Sequence, residues 1–215
     1  MSGPGSPTDL LDLVDWHRHV GHLYRARGDD PIAEFRRRRN ELLRNHPQSP
    51  IPTEERAKFV GIRYFPPDPA YRITTRLEPS QSDEEIVIET GGPDGDIGYR
   101  RAGVLHFNLG DQECRLTVFS LIGYGGGLFL PFRDATSGRQ TYGGGRYLFD
   151  TIKSTDGLCL EVQPGSDQVT IDFNYAYNPS CAYDPHWACP LAPRENWLEV
   201  AVDAGEMVYE GNLGA

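Results

Sequence analysis

The sequence predicts a mainly β, α+β protein: an antiparallel β-sandwich or barrel with two N-terminal helices packed on the outside. Three observations carry that expectation. Apolar spacing is helical up to about residue 46, and from Phe59 it changes to short runs rich in β-formers. Glycine (24 residues) and proline (17) punctuate those runs, as frequent turns require. The chain of 215 residues shows no long internal repeat and suits one domain with an appendage, enough to bury a real core.

Taken in order, residues 1–7 (MSGPGSP) form a flexible lead, and residues 8–46 a helical hairpin. Thr8 or Asp9 is placed to cap the first helix, whose inner positions are Leu13, Trp16, Val20 and Leu23, with Gly28 past its end. Asp30-Pro31 restarts the helix with a capping carboxylate and a proline at the first turn. Ile32, Phe35, Leu42 and Leu43 mark its inner face, which stops before Pro47. Residues 47–58 read as an extended linker because each proline disfavours helix in its predecessor.

Residues 59–215 read as a β-rich domain that folds as one unit with the helices. Strands are expected at 59–64, 71–77, 85–89, 98–109, 113–122, 128–132, 158–162, 169–174 and 197–209. The clearest hairpin turns at Gly110-Asp111, where Leu105, Phe107 and Leu109 alternate with His106 and Asn108, and the return strand carries Leu116 and Val118. GYGGG (123–127) and TYGGG (141–145) read as turns.

Charge restricts the partners. The net charge is −10, and residues 1–56 balance nine Lys/Arg against nine Asp/Glu, so the whole excess lies in the β-rich part. An acidic body repels phosphate backbones and anionic lipid, so neither nucleic acid nor membrane is expected as partner. No apolar run reaches the length of a signal core or a membrane span. The expected location is cytoplasmic, where the four cysteines would be thiols or metal ligands.

Several stretches could carry chemistry. RRRR (36–39) reads as a solvated helix face, with Glu34 four residues before Arg38 and Arg37 four before Glu41. His17, His19 and His22 read as surface residues. In 128–148, the strand LFLPF ends in Arg133-Asp134, and a turn leads through Tyr142 and three glycines to Arg146. Arg133 and Arg146 could fork onto a carboxylate or phosphate; alternatively Arg133, Asp134 and Arg146 close the turn as an ion-pair network. The Lys-Ser/Thr of a phosphate-binding P-loop is missing.

In 172–196 (DFNYAYNPSCAYDPHWACPLAPREN), strand alternation would put Asp172 and Asn174 on one side, lining a pocket. Asn178, Glu195 and Asn196 add acid and amide groups. Cys181, His186 and Cys189 could form a Cys₂His zinc set, although Cys-x₇-Cys is no known finger spacing; a Cys181–Cys189 disulfide and free thiols are the other readings. Cys114 and Cys159 fall in strand patterns as small buried apolar groups.

The runs PFRDATSGRQTYGGGRYL and DFNYAYNPSCAYDPHWACPLAPREN, with AGE (204–206) and the earlier SPIPTEERAKFVGIRYFPPDPAYR, resemble domain-of-unknown-function family 1684 over most of the chain. The resemblance brings no established activity. It implies that 131–148 and 172–196 form one shared site, and that position 186 is aromatic in many relatives, which disfavours zinc.

Two functions follow as expectations. In the first, segments 131–148 and 172–196 bind a small polar or anionic metabolite without a predicted cofactor and form, at its fullest, a hydrolase. Arg133, Asp134, Tyr142, Arg146, Asn174, Asn178 and Asn196 would bind it, Asp172 or Glu195 would act as acid or base, and Cys181 as nucleophile. In the second, the same residues are a structural polar network in a non-catalytic β module.

Overall fold

A computed structural model describes residues 6–25, 27–82, 84–88, 90, 95–123 and 125–212. Most of the expected flexible lead, Glu89 of the third expected strand, and Tyr124 of GYGGG lie outside the described residues.

Helix α1 (Pro7–Leu23) is capped two to three residues earlier than the Thr8 or Asp9 expected from the sequence. Ser6 is the cap: its hydroxyl accepts from Asp9 N–H while the Asp9 carboxylate accepts from Ser6 N–H, and Pro7 fills the first helical position. Helix α2 (Pro31–Asn45) is capped by Asp30, whose carboxylate accepts from Ala33 N–H at 2.9 Å. The 47–58 linker is not wholly extended, because Thr53–Arg56 closes one turn of helix, α3. Arg56 holds that turn by donating to the carbonyls of His46, Pro47, Ser49 and Ile51.

The strands are β1 (Arg72–Pro79), β2 (Glu85–Ile88), β3 (Ile97–Leu109), β4 (Gln112–Leu121), β5 (Leu128–Phe132), β6 (Arg146–Asp150), β7 (Leu160–Val162) and β8 (Gln168–Asp172). They pair antiparallel in the order β6-β5-β4-β3-β1-β8-β7, with β2 extending the β1 side of β3, and form a nearly closed barrel. The β3–β4 hairpin turns where expected, with Gly110 at φ 58° and Leu109 opposite Gln112. Along it Leu105, Phe107, Leu116 and Val118 are buried and His106 and Asn108 are exposed.

The core is aromatic and continuous from barrel to helices. Phe132 meets Phe173 edge-on at 5.2 Å, Phe35 of α2 meets Tyr175 at 5.0 Å, and Tyr24 packs on Phe35 at 4.9 Å. Val20 and Leu23 of α1 join the same cluster.

Three strand expectations change. Arg146–Asp150 is a strand that periodicity misses, because all five residues are buried and nothing alternates. Residues 197–209 are not a strand: the carbonyls of Val202, Ala204 and Glu206 are taken by the Arg146 guanidinium instead of a ladder. Residues 59–64 are likewise irregular, because Arg44 takes the Phe59 carbonyl and Asn40 the Ile62 N–H. Among the described residues no helix is long and apolar enough to cross a membrane.

Candidate functional site

Arg146 opens β6 with a residue exposure of 1%. Gly145 delivers it at φ 95°, where a side chain would strike the Phe132 carbonyl at 2.5 Å, so this glycine serves close backbone packing and not ligand approach. The guanidinium donates to Asp134 Oδ2 at 2.9 Å and to the carbonyls of Val202, Ala204 and Glu206, and it stacks on Phe132. Asp134 Oδ1 accepts from the Thr136 N–H and hydroxyl at 2.8 and 2.5 Å and from Val202 N–H at 3.2 Å. Burial pulls the Arg146 pKa down against the pull of Asp134. These two residues therefore bind their own chain, and no ligand fork is left. Arg133 lies apart, half-buried over the Trp197 ring at 4.1 Å.

The other amides are spent similarly. Asn196 accepts from Thr117 N–H and donates to the Thr117 and Pro131 carbonyls, each at 2.8 Å. Glu195 beside it is forked onto Arg101 at 2.9–3.2 Å and accepts from the Thr117 hydroxyl at 3.0 Å. Asn174 is not a strand neighbour of Asp172: it sits in a 3₁₀ turn, Phe173–Tyr175, that Asp172 caps. Its amide exchanges hydrogen bonds with the Asp68 backbone at 2.9 Å and donates to Asp172 at 2.8 Å. Burial raises the Asp172 pKa, partly offset by the Asn174 donors. Asp172 lines a groove of about 600 Å³ with Tyr175, Arg72 and Glu161, to which the 131–148 segment contributes nothing.

Among the described residues the most buried carboxylate is one that the predicted site residues do not include. Glu206 has zero exposure and accepts from Arg39, Asn178 N–H (2.7 Å), the Tyr183 hydroxyl (3.0 Å) and the Tyr64 hydroxyl (3.4 Å). Gly205 just before it sits at φ 75°, where a side chain would strike the Ala176 carbonyl at 2.5 Å. Arg39 corrects the solvated-face reading of RRRR. Arg37 and Arg38 do pair with Glu34 and Glu41, but Arg36 donates to the Phe65 carbonyl and Arg39 is 5% exposed. The signal was available: position 39 lies four residues from both Phe35 and Leu43, on the buried stripe.

The zinc set does not assemble. His186 is 92% exposed at its side chain and hydrogen-bonds Asp184 at 2.6 Å. The group whose ligand atoms gather within 4.8 Å, among the described residues, is Asp15, His19 and His46, beside a groove of about 750 Å³ between α1 and α2. Asp15 precedes His19 by one helical turn, a partner the surface reading passed over. Hydrogen bonding disfavours a metal there too. Gln48 N–H donates to His46 Nδ1 at 3.1 Å, which leaves the ring proton on Nε2, facing Asp15 Oδ2 at 3.4 Å. His19 Nδ1 reaches the Asp15 carbonyl at 3.0 Å. Both rings thus act as donors to Asp15.

The two long segments do meet. Tyr147 and Tyr177 exchange backbone hydrogen bonds at 2.9 Å, the Tyr147 hydroxyl donates to the Pro190 carbonyl at 2.7 Å, and the Tyr142 hydroxyl donates to Cys181 Sγ at 3.6 Å. They share a cleft of about 60 Å³ against the helices, lined by Arg39, Tyr147, Lys153, Thr155, Tyr177, Asn178, Ser180 and Tyr183 among others. Asn178 donates to the Met207 carbonyl at 2.8 Å, but its buried Oδ1 has no protein partner. Lys153 is half-exposed at the rim, near Asp150. Of the sequence-predicted ligand residues, Asn178 lines this cleft; Arg39, Lys153 and Tyr183 join it without having been foreseen.

Residues 57–207 match the model of a family described as a protein of unknown function, DUF1684. The chain belongs to the DUF1684 family. That match spans β1–β8, the Arg146 cluster and Glu206, whereas α1 and α2 with Arg39 precede it. This DUF1684 chain is also similar to an uncharacterised protein of Haloarcula marismortui whose solution structure was determined by NMR. The two are 35% identical, with a TM-score of 0.60, over 94% of this chain and 98% of that one. No curated protein matches the chain.

Proposed function

We propose that this DUF1684 protein is a cytoplasmic, non-catalytic binding protein for a small polar anion, held in the cleft between the helices and the two family-signature segments. The observation that carries the reading is the buried Asn178 Oδ1, without a protein partner, in a cleft lined from both segments. An amide oxygen accepts only, so the ligand brings a hydroxyl or N–H donor. The Lys153 ammonium at the rim suits a carboxylate or phosphate on the same molecule. Space of about 60 Å³ takes a group of a few heavy atoms, as in a short hydroxy acid or amino acid.

Binding is favoured over hydrolysis by where the acid and nucleophile candidates lie. Asp172 lines a different groove, Glu195 is committed to Arg101, and the Cys181 sulfur accepts from Tyr142. A general base has to reach the proton it removes, within about 3 Å or through one water.

The test is a thermal-melt panel of short hydroxy acids, amino acids and inorganic phosphate, with affinities of any hit measured by calorimetry on wild type and Lys153→Ala. The expected result is a hit that binds Lys153→Ala about tenfold more weakly, a difference of about 1.4 kcal/mol, with the melting temperature of the free variant unchanged. A panel without a hit, or equal affinity for the variant, overturns the reading.

A further inference from the structure

Cys181 and Cys189 sit at the two ends of a tight loop and face each other. Cys181 N–H donates to Cys189 Sγ at 3.3 Å, across eight positions of sequence, and the Tyr142 hydroxyl donates to Cys181 Sγ at 3.6 Å. Both are free thiols; Cys181 is half-buried and Cys189 is 5% exposed. Nothing in the proposed anion site uses them.

We infer that Cys181 and Cys189 form a hydroperoxide-reactive dithiol in which Cys189 attacks and Cys181 resolves. The assignment of roles follows from the hydrogen bonds. A backbone N–H aimed at a sulfur stabilises the thiolate, and only Cys189 receives one from its partner cysteine. The pull of the neighbouring Cys181 thiol, that N–H and the positive charge of Lys153 together outweigh burial and hold Cys189 down to about 6. Cys181 is pushed up by that same pairing and by burial, as suits a thiol that waits as the proton-bearing partner. The other two cysteines are internal controls. Cys159 is fully buried with its thiol given to the Thr155 carbonyl, and burial raises both Cys159 and Cys114.

The chemistry balances with the hydroperoxide as oxidant. The Cys189 thiolate attacks one peroxide oxygen; an S–O bond forms, the O–O bond breaks, and the leaving alkoxide takes a proton to become an alcohol, or water when the reagent is hydrogen peroxide. The Cys181 sulfur then attacks the Cys189 sulfenic acid. The S–S bond forms, the S–O bond breaks, and the departing hydroxide leaves as water with the Cys181 proton. Two thiols lose two electrons and two protons in total, and one hydroperoxide is reduced. Because Cys189 is nearly covered, hydrogen peroxide is the reagent that fits and a bulky organic hydroperoxide is not.

The full chain, reduced and then treated with one equivalent of hydrogen peroxide at pH 7, is read by intact mass and chymotryptic mapping. Loss of two hydrogens with a Cys181–Cys189 link is expected, about tenfold faster than oxidation of free cysteine in the same buffer because more of Cys189 is thiolate. Cys181→Ser should stop at a Cys189 sulfenic acid that dimedone traps, and Cys189→Ser should not react. Wild-type protein that keeps four thiols overturns the inference, as does a link or a dimedone adduct at Cys114 or Cys159. The wild-type map decides the matter even where a serine variant fails to fold.

Discussion

Asn196 and Asn178 show how one residue type divides into two roles. Asn196 spends its oxygen and both amide hydrogens on Thr117 and Pro131, tying β4 to β5 from the side. Asn178 is equally buried yet keeps its oxygen unpartnered. From sequence both were polar residues of a signature segment, and that much was legible. Which of them faces its own backbone depends on contacts 79 and 65 positions away, which no local pattern encodes. Asp172 is the residue for which pH gives a test. Burial raises its folded pKa, so the folded state holds a proton that the unfolded state releases, and stability falls as pH rises from the ordinary aspartate range through the folded value. Asp172→Asn keeps the acceptor for Asn174 and removes that slope. Urea unfolding at a series of pH values from 3 to 7 should therefore show a flatter profile for the variant; parallel profiles would contradict the assignment.

At the scale of elements, helices announced themselves because one stripe is apolar and the caps are chemically distinctive, as in Asp30-Pro31. Strands with one wet face did the same through alternation, most plainly in β3 and β4. β6 was hidden because it is buried on both faces, and the 197–209 stretch misled because an arginine, not a strand, satisfies its carbonyls. Helix α2 is tied to the rest of the fold through the Arg39–Glu206 pair, whose partners are 167 positions apart. Removing one member leaves an uncompensated buried charge, at about 3–5 kcal/mol, whereas replacing both by apolar or neutral groups of similar size costs much less. Arg39→Met and Glu206→Gln should each lower stability by that order, and the double variant should be well short of the sum. A denaturation cycle measures this coupling. Additive effects would mean that the two side chains do not depend on each other.

For the molecule as a whole, the family signature is chiefly a frame. Asp134 and Arg146 stand where β5 ends and β6 begins, and they hold the irregular 202–206 segment across the barrel; that segment then carries Glu206 to Arg39 on the helices. The sequence reading kept both possibilities for these residues, ligand fork or ion-pair network. The barrel with outside helices was among the expected architectures, whereas contact between the two signature segments was left open by the residues and rested on the family resemblance alone. The role of the 204–206 motif as the link between them was not, because a lone Ala-Gly-Glu has no period and its partners are all remote. Small domains carry about 5–15 kcal/mol of stability in total, so loss of one member of this frame is felt globally.

The most direct measurement is urea denaturation of Arg146→Ala beside wild type. Asp134 would be left buried and unpaired, and the Val202 and Ala204 carbonyls would lose their donor. The account predicts a loss of about 3–5 kcal/mol, which at typical urea sensitivities of about 1–3 kcal/mol per molar moves the midpoint down by about 1 M or more. A variant that unfolds at the wild-type urea concentration would contradict it and return Arg146 to the role of a ligand-binding side chain.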